Sequence, residues 1–122
     1  MRRAGRSSVE RGEIRWYTFA PPNKRRPVLV LSRTGIVEVL NEIIVVPVTR
    51  TIRGLATEVL LTSDDGMPVS SVLNFDHVSL AQRTLLGPVL TVLRAARWPE
   101  VRRALLAACG FADANERGGS AT

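Results

Sequence analysis

The apolar runs of this chain are short, and that limits what it can fold into more than any other feature. Residues 28–32 and 43–49 are nearly unbroken stretches of β-branched residues and leucine, a pattern that suits strands buried on both faces. Residues 13–19 mix β-branched and aromatic side chains, with Ile14, Trp16 and Thr18 on one face, and Pro21-Pro22-Asn23 ends that strand. Residues 58–62, 69–75 and 87–93 supply three more strands, with a turn at Asp64-Asp65-Gly66. Pro47 inside a strand implies a bulge or a sheet edge, because proline cannot donate to the ladder. None of these runs approaches the roughly 20 apolar residues that span a bilayer.

Only one stretch reads as helix. Pro99 suits a first helical position and Glu100 complements the positive end of the helix dipole. Val101, Leu105 and Ala108 form an apolar stripe, Arg102 and Arg103 lie off it, and Gly110 is a stop. Short strands followed by one helix predict a mainly β (α+β) chain: a small, bent antiparallel β-barrel of the SH3-like kind with a C-terminal helix. A length of 122 residues fits one domain. That domain is expected over 10–111, with 1–9 and 112–122 as flexible tails, since neither end has an apolar pattern.

Charge narrows the partners. The net charge is +6, and of 17 basic residues only Lys24 is not arginine. A guanidinium presents paired donors that match phosphate oxygens, so a polyanion is the first candidate ligand, although arginine usage can also reflect genome composition. No apolar segment follows the arginine-rich start, so no signal peptide is expected; with a single cysteine, this points to the cytoplasm. One histidine (His77) and one cysteine (Cys109) give no zinc-ligand spacing, and no glycine-rich loop precedes a helix. No metal and no cofactor are therefore expected. Cys109, beside Ala107 and Ala108, reads as a small packed hydrophobe.

Three segments carry possible chemistry. Lys24-Arg25-Arg26-Pro27 gathers three cations in a short loop between strands, and Pro27 holds Arg26 extended; a solvated charged turn would carry the same residues. Thr49-Arg50-Thr51-Ile52-Arg53-Gly54 alternates hydroxyls and guanidiniums where a strand ends, with a glycine that permits close backbone approach to phosphate; an ordinary strand end is the alternative. Asn74-Phe75-Asp76-His77 offers an amide, a ring, a carboxylate and an imidazole that can stack on and hydrogen-bond to splayed RNA bases; taken alone, a capped strand end with a surface histidine is the favoured reading.

Taken in order, three stretches resemble a known family. They are Arg11-Gly12-Glu13-Ile14-Arg15-Trp16, Arg26-Pro27-Val28-Leu29-Val30-Leu31-Ser32, and Val45-Val46-Pro47-Val48-Thr49 with Thr51-Ile52-Arg53-Gly54 and Glu58-Val59. They look like the MazF/PemK family of toxin–antitoxin ribonucleases, whose domains open R-G-(D/E) and whose second strand begins R-P-V-(L/V)-V. Residues 71–78 are similar to that family's S-x-x-x-x-D-Q-V. The resemblance covers about 10–111. It implies the CcdB/MazF type of β-barrel, a homodimer, metal-independent and sequence-selective cleavage of single-stranded RNA through 2′-hydroxyl attack, and an antitoxin with a disordered acidic segment. The family's catalytic arginine maps to Arg26 and its catalytic threonine to Thr49. Lys24, Arg25, Arg50 and Arg53 are then phosphate contacts, and Asp76 and His77 base contacts.

Two departures stand out. The first loop, Pro21-Pro22-Asn23-Lys24-Arg25, is shorter than the family's, and His77 replaces a glutamine. Rival readings are a non-catalytic CcdB-like toxin that grips gyrase and an SH3-like nucleic-acid-binding module without cleavage.

Overall fold

The computed structural model describes residues 8–22 and 24–111. Among them run seven strands and one α-helix: β1 (Glu13–Thr18), β2 (Arg25–Val30), β3 (Glu42–Thr49), β4 (Glu58–Leu61), β5 (Ser71–Asn74), β6 (Ser79–Gln82), β7 (Val89–Val92) and α1 (Trp98–Ala108). Every strand pairing is antiparallel, in the order β4-β5-β3-β2-β1-β7, with β6 also on β3. The result is the expected mainly β fold, a curled half-barrel with one C-terminal helix.

The curl originates in β3. One edge of this strand pairs Glu42 to Val45 with β6, then pairs Val48 and Thr49 with β5. Its other edge pairs Val45, Val46 and Pro47 with β2. On the first edge no residue is in register with Val46 or Pro47, so a missing N–H there breaks no ladder. Pro47 thus marks a change of partner on a central strand, where the sequence suggested a bulge or an edge.

The β2 and β3 runs are apolar on both faces because both faces are covered. Leu29, Leu31, Val46 and Val48 pack with Val101 and Ala104 of α1. Val28, Val30, Ile43 and Val45 pack on the opposite side with Tyr17, Val37 and Ala81. Burying each such side chain contributes about 2 kcal/mol. Val9 is also fully buried in this second cluster, and its N–H donates to Glu38 Oε2 at 2.9 Å. The expected N-terminal tail therefore gives way by Val9, whose apolar side chain has a site to fill. The remaining expected tail residues, 1–7 and 112–122, lie outside the described residues.

The helix follows its stripe. Val101 and Ala104 are buried, Leu105 and Ala108 pack against the core, and Gly110 ends the run at φ +83°. Cys109 is exposed, not packed as expected, because it follows the last helical turn and Ala104, Leu105 and Ala108 already fill the interface. β6 was not anticipated from the sequence: it has four residues, of which only Ala81 is buried. No helix among the described residues is long and apolar enough to cross a membrane.

One buried charge ties these layers together. Asp65 is 2 % exposed and receives Arg97 at 2.6 Å and Arg94 at 2.9 Å, while Arg97 also binds Glu100 at 2.9 Å. Its carboxylate accepts the Thr62 N–H as well, closing a capping box over the turn. Burial alone would raise the Asp65 pKa. Hydrogen bonds from Thr62, Arg97 and Arg94 outweigh it and lower the carboxyl from 3.8 to about 2. Gly66 follows at φ +85°, where a Cβ would collide with the Thr91 side chain.

Candidate active site

Arg26 and Thr49 come from neighbouring strands. The β2–β3 ladder pairs Val28 with Pro47; Arg26 lies two residues before the first and Thr49 two residues after the second, just past the paired stretch. Both side chains line an open cavity of about 490 Å³. Lys24, Arg25 and Arg50 line the same cavity, as does Pro27, so the first two cationic segments of the sequence meet there, six of their residues sharing one concave surface.

The hydrogen bonding of the two central groups is complementary. Thr49 Oγ1 accepts the Thr51 N–H at 3.2 Å, which leaves the hydroxyl hydrogen free to donate. Among the described residues the guanidinium of Arg26 has neither a hydrogen bond nor an ion pair, although the residue is half-buried. Elsewhere in the fold, Arg15, Arg94 and Arg97 are all satisfied by acids or carbonyls. A cation held in a cavity wall without a protein acceptor is poised for an anion from outside.

Arg26 also lines a second cavity, of about 320 Å³, with Phe19, Pro47, His77 and Ser79. His77 thereby lines a cavity that has Arg26 in its wall. The Asn74 amide nitrogen lies 3.3 Å from His77 Nδ1 while Asn74 Oδ1 accepts the Asp76 N–H. An amide NH2 only donates, so Nδ1 is the acceptor and Nε2 carries the proton outward. Asp76 is exposed and accepts the Thr57 hydroxyl at 2.7 Å, adjoining neither cavity wall.

Two sequence expectations are corrected here. Phe75 is 2 % exposed and belongs to the core, so it is not available to stack on a base. Gly54 does not receive an external phosphate on its backbone: Glu58 Oε1 already accepts the N–H groups of Arg53, Gly54 and Leu55 at 3.1, 2.9 and 3.4 Å. The carboxylate folds the loop around itself and leaves the Arg53 side chain exposed, away from both cavities. Trp16 was read only as a strand residue. It lines the first cavity with its ring under the Arg25 guanidinium, 4.4 Å from carbon to ring centre.

Fold and site together define a class: a single-helix antiparallel half-barrel whose strand ends open into a cationic, hydroxyl-bearing cavity. The chain belongs to the PemK-like, MazF-like toxins of type II toxin–antitoxin systems, whose family pattern matches residues 10–109. It is 38% identical over 103 residues to a protein of Mycobacterium tuberculosis named probable endoribonuclease MazF2, spanning 84% of this chain and 99% of that one. Among solved structures it is similar to the Mycobacterium tuberculosis toxin MazF-mt6, with a TM-score of 0.75, 31% identity, and coverage of 81% and 97%. It is also similar to a chain of a MazE–MazF crystal structure from Deinococcus radiodurans, with a TM-score of 0.69, 30% identity, and coverage of 85% and 97%.

Proposed function

We propose that this toxin is an endoribonuclease that cuts single-stranded RNA at selected sequences by directing the RNA's own 2′-hydroxyl against the adjacent phosphorus. The observation that carries this reading is that Arg26, whose guanidinium has no partner among the described residues, shares one cavity with Thr49. The 2′-oxygen gives up its proton to water and bonds to phosphorus, the bond to the 5′-oxygen breaks, and the departing 5′-oxygen takes up a proton from water. The products are a 2′,3′-cyclic phosphate and a 5′-hydroxyl end, and no metal is required. Negative charge grows on the non-bridging oxygens as phosphorus becomes five-coordinate. Arg26 neutralises it with a forked donor, and Thr49 adds a hydrogen bond to the same phosphate. Neither residue is a base, so their work is orientation and charge stabilisation.

Lys24, Arg25, Arg50 and Arg53 hold the flanking phosphates, while Asp76 and His77 read bases, His77 through its outward Nε2–H. A homodimer and an antitoxin complete the proposal. The directly paired Ile44 and Leu80 are 41% and 57% exposed, an apolar surface suited to a second copy. The net charge of +6 suits an acidic, disordered antitoxin segment laid across the cavity, and the toxin acts in the cytoplasm. Incubating the purified protein with end-labelled RNA and excess chelator tests the reading. Fragments ending in cyclic phosphate are expected; intact RNA, or cleavage only when metal is restored, overturns it.

A further inference from the structure

Two arginines in this fold lie over tryptophan rings, and the two stacks differ in kind. Arg11 covers Trp98 at 4.1 Å and is tied down by its Nε–H, which donates to the Leu31 carbonyl at 3.0 Å. Arg25 covers Trp16 at 4.4 Å, and among the described residues its side chain has no hydrogen bond or ion pair. The first stack is part of the packing. The second is a flat cation resting on a ring that faces the cavity of Arg26 and Thr49.

The backbone beneath the ring is anchored. Trp16 O accepts the Gly87 N–H at 2.7 Å and its own N–H donates to Pro88 O at 3.2 Å. Gly87 passes so close that a Cβ there would come within 3.1 Å of Trp16 O. On its other side Trp16 pairs with Pro27, next to Arg26 in the chain. An indole on this anchored backbone, in a cavity shared with Arg26, Met67 and Leu90, offers a flat, partly apolar surface.

We infer that Trp16 is the stacking platform for a nucleobase flanking the scissile phosphate, and that Arg25 is its displaceable cover. This rests on the endoribonuclease reading. A guanidinium and a nucleobase are both planar and delocalised, so a ring that seats one seats the other. A guanidinium on an exposed ring gains only about two- to five-fold, whereas a stacked base gains roughly five- to a hundred-fold. The base therefore displaces Arg25, which swings to a phosphate on the same strand. Recognition here depends on the face of the base and tolerates any base identity, in contrast to the edge contacts of His77.

A short random DNA oligonucleotide, which lacks the 2′-hydroxyl and cannot be cut by this route, provides the first test. The fluorescence difference between the native protein and Trp16→Phe isolates Trp16 from Trp98; saturable quenching of that difference is expected, and an unchanged difference overturns the platform. This readout requires no cleavage, so quenching by a protein that leaves RNA intact refutes the nuclease and keeps the platform. The second test uses RNA lacking one base on either side of the cleaved bond. In the native protein one of these substitutions is expected to lower kcat/KM by about tenfold. Trp16→Leu lowers it by a similar factor on intact RNA, with no further loss when the two changes are combined. Losses that multiply, or no loss from removing either base, overturn the inference. The substrate arm uses native protein, so it holds even where Trp16→Leu does not fold.

Discussion

Thr51 donates its backbone N–H to the Thr49 side-chain oxygen at 3.2 Å, and this one contact fixes what Thr49 can do. With its oxygen occupied by a donor, the hydroxyl keeps its hydrogen for an acceptor in the cavity. Thr49→Val preserves the shape and removes that donor. It is expected to lower kcat by about 10²-fold, while Thr49→Ser keeps most of the activity. Cleavage of labelled RNA by the two variants measures this; equal activity removes the hydroxyl from the mechanism.

Arg26→Ala is expected to abolish cleavage, a loss of at least about 10²-fold, and to leave stability within about 0.5 kcal/mol. The small stability effect follows from the guanidinium having no protein partner among the described residues. Thermal melting followed by circular dichroism checks the second half. A folded, active variant excludes Arg26 from the chemistry.

Binding of non-cleavable RNA is expected to weaken as salt rises, since each neutralised phosphate releases counterions. Alanine at Lys24, Arg50 or Arg53 should each reduce the slope of log affinity against log salt by about 0.7. A slope that stays unchanged identifies a side chain that does not meet phosphate.

Asp65 makes stability dependent on acid. Its carboxyl is lowered in the folded state to about 2, below its ordinary 3.8, so the folded form favours the ionised group. The stabilisation, about 2 kcal/mol, is complete above about pH 4 and is lost as pH falls toward 2. Asp65→Ala removes that limb from the stability–pH curve. It is also expected to cost about 3 kcal/mol near neutrality, because Arg97, only 13% exposed, loses the buried one of its two acid partners. Denaturant unfolding between pH 2 and 7 measures both.

His77→Gln alters a donor that points outward and leaves Arg26 and Thr49 in place. The expected outcome is a changed base preference around the cut, read by sequencing 5′-hydroxyl ends, with a change of only a few fold in the best-substrate rate. An unchanged cleavage motif removes His77 from base recognition.

Much of the fold was legible because its signals are local. The apolar runs at β2 and β3, the proline that opens α1 and the glycine that closes it each act within a few residues. β6 escaped because Ser79 to Gln82 has one buried residue and depends on β3 for its pairing. Val9 escaped for a similar reason: most of its cluster, and the Glu38 carboxylate that accepts its N–H, lie far along the chain. Asp65 read as a turn acid, since nothing nearby in sequence announces Arg94 and Arg97.

The amino-acid order alone supplied the arginine before a proline, the threonine at a strand end and a cationic surplus that favours polyanions. Which of these groups meet was settled by the curl of β3, whose change of partner gathers Lys24, Arg25, Arg26, Thr49 and Arg50 around one cavity and leaves Arg53 and Asp76 outside it. Propensity and charge are written residue by residue, whereas a shared cavity depends on register between strands distant in sequence. The freedom of Arg26 and the cover over Trp16 emerge only once every competing partner has its place in three dimensions.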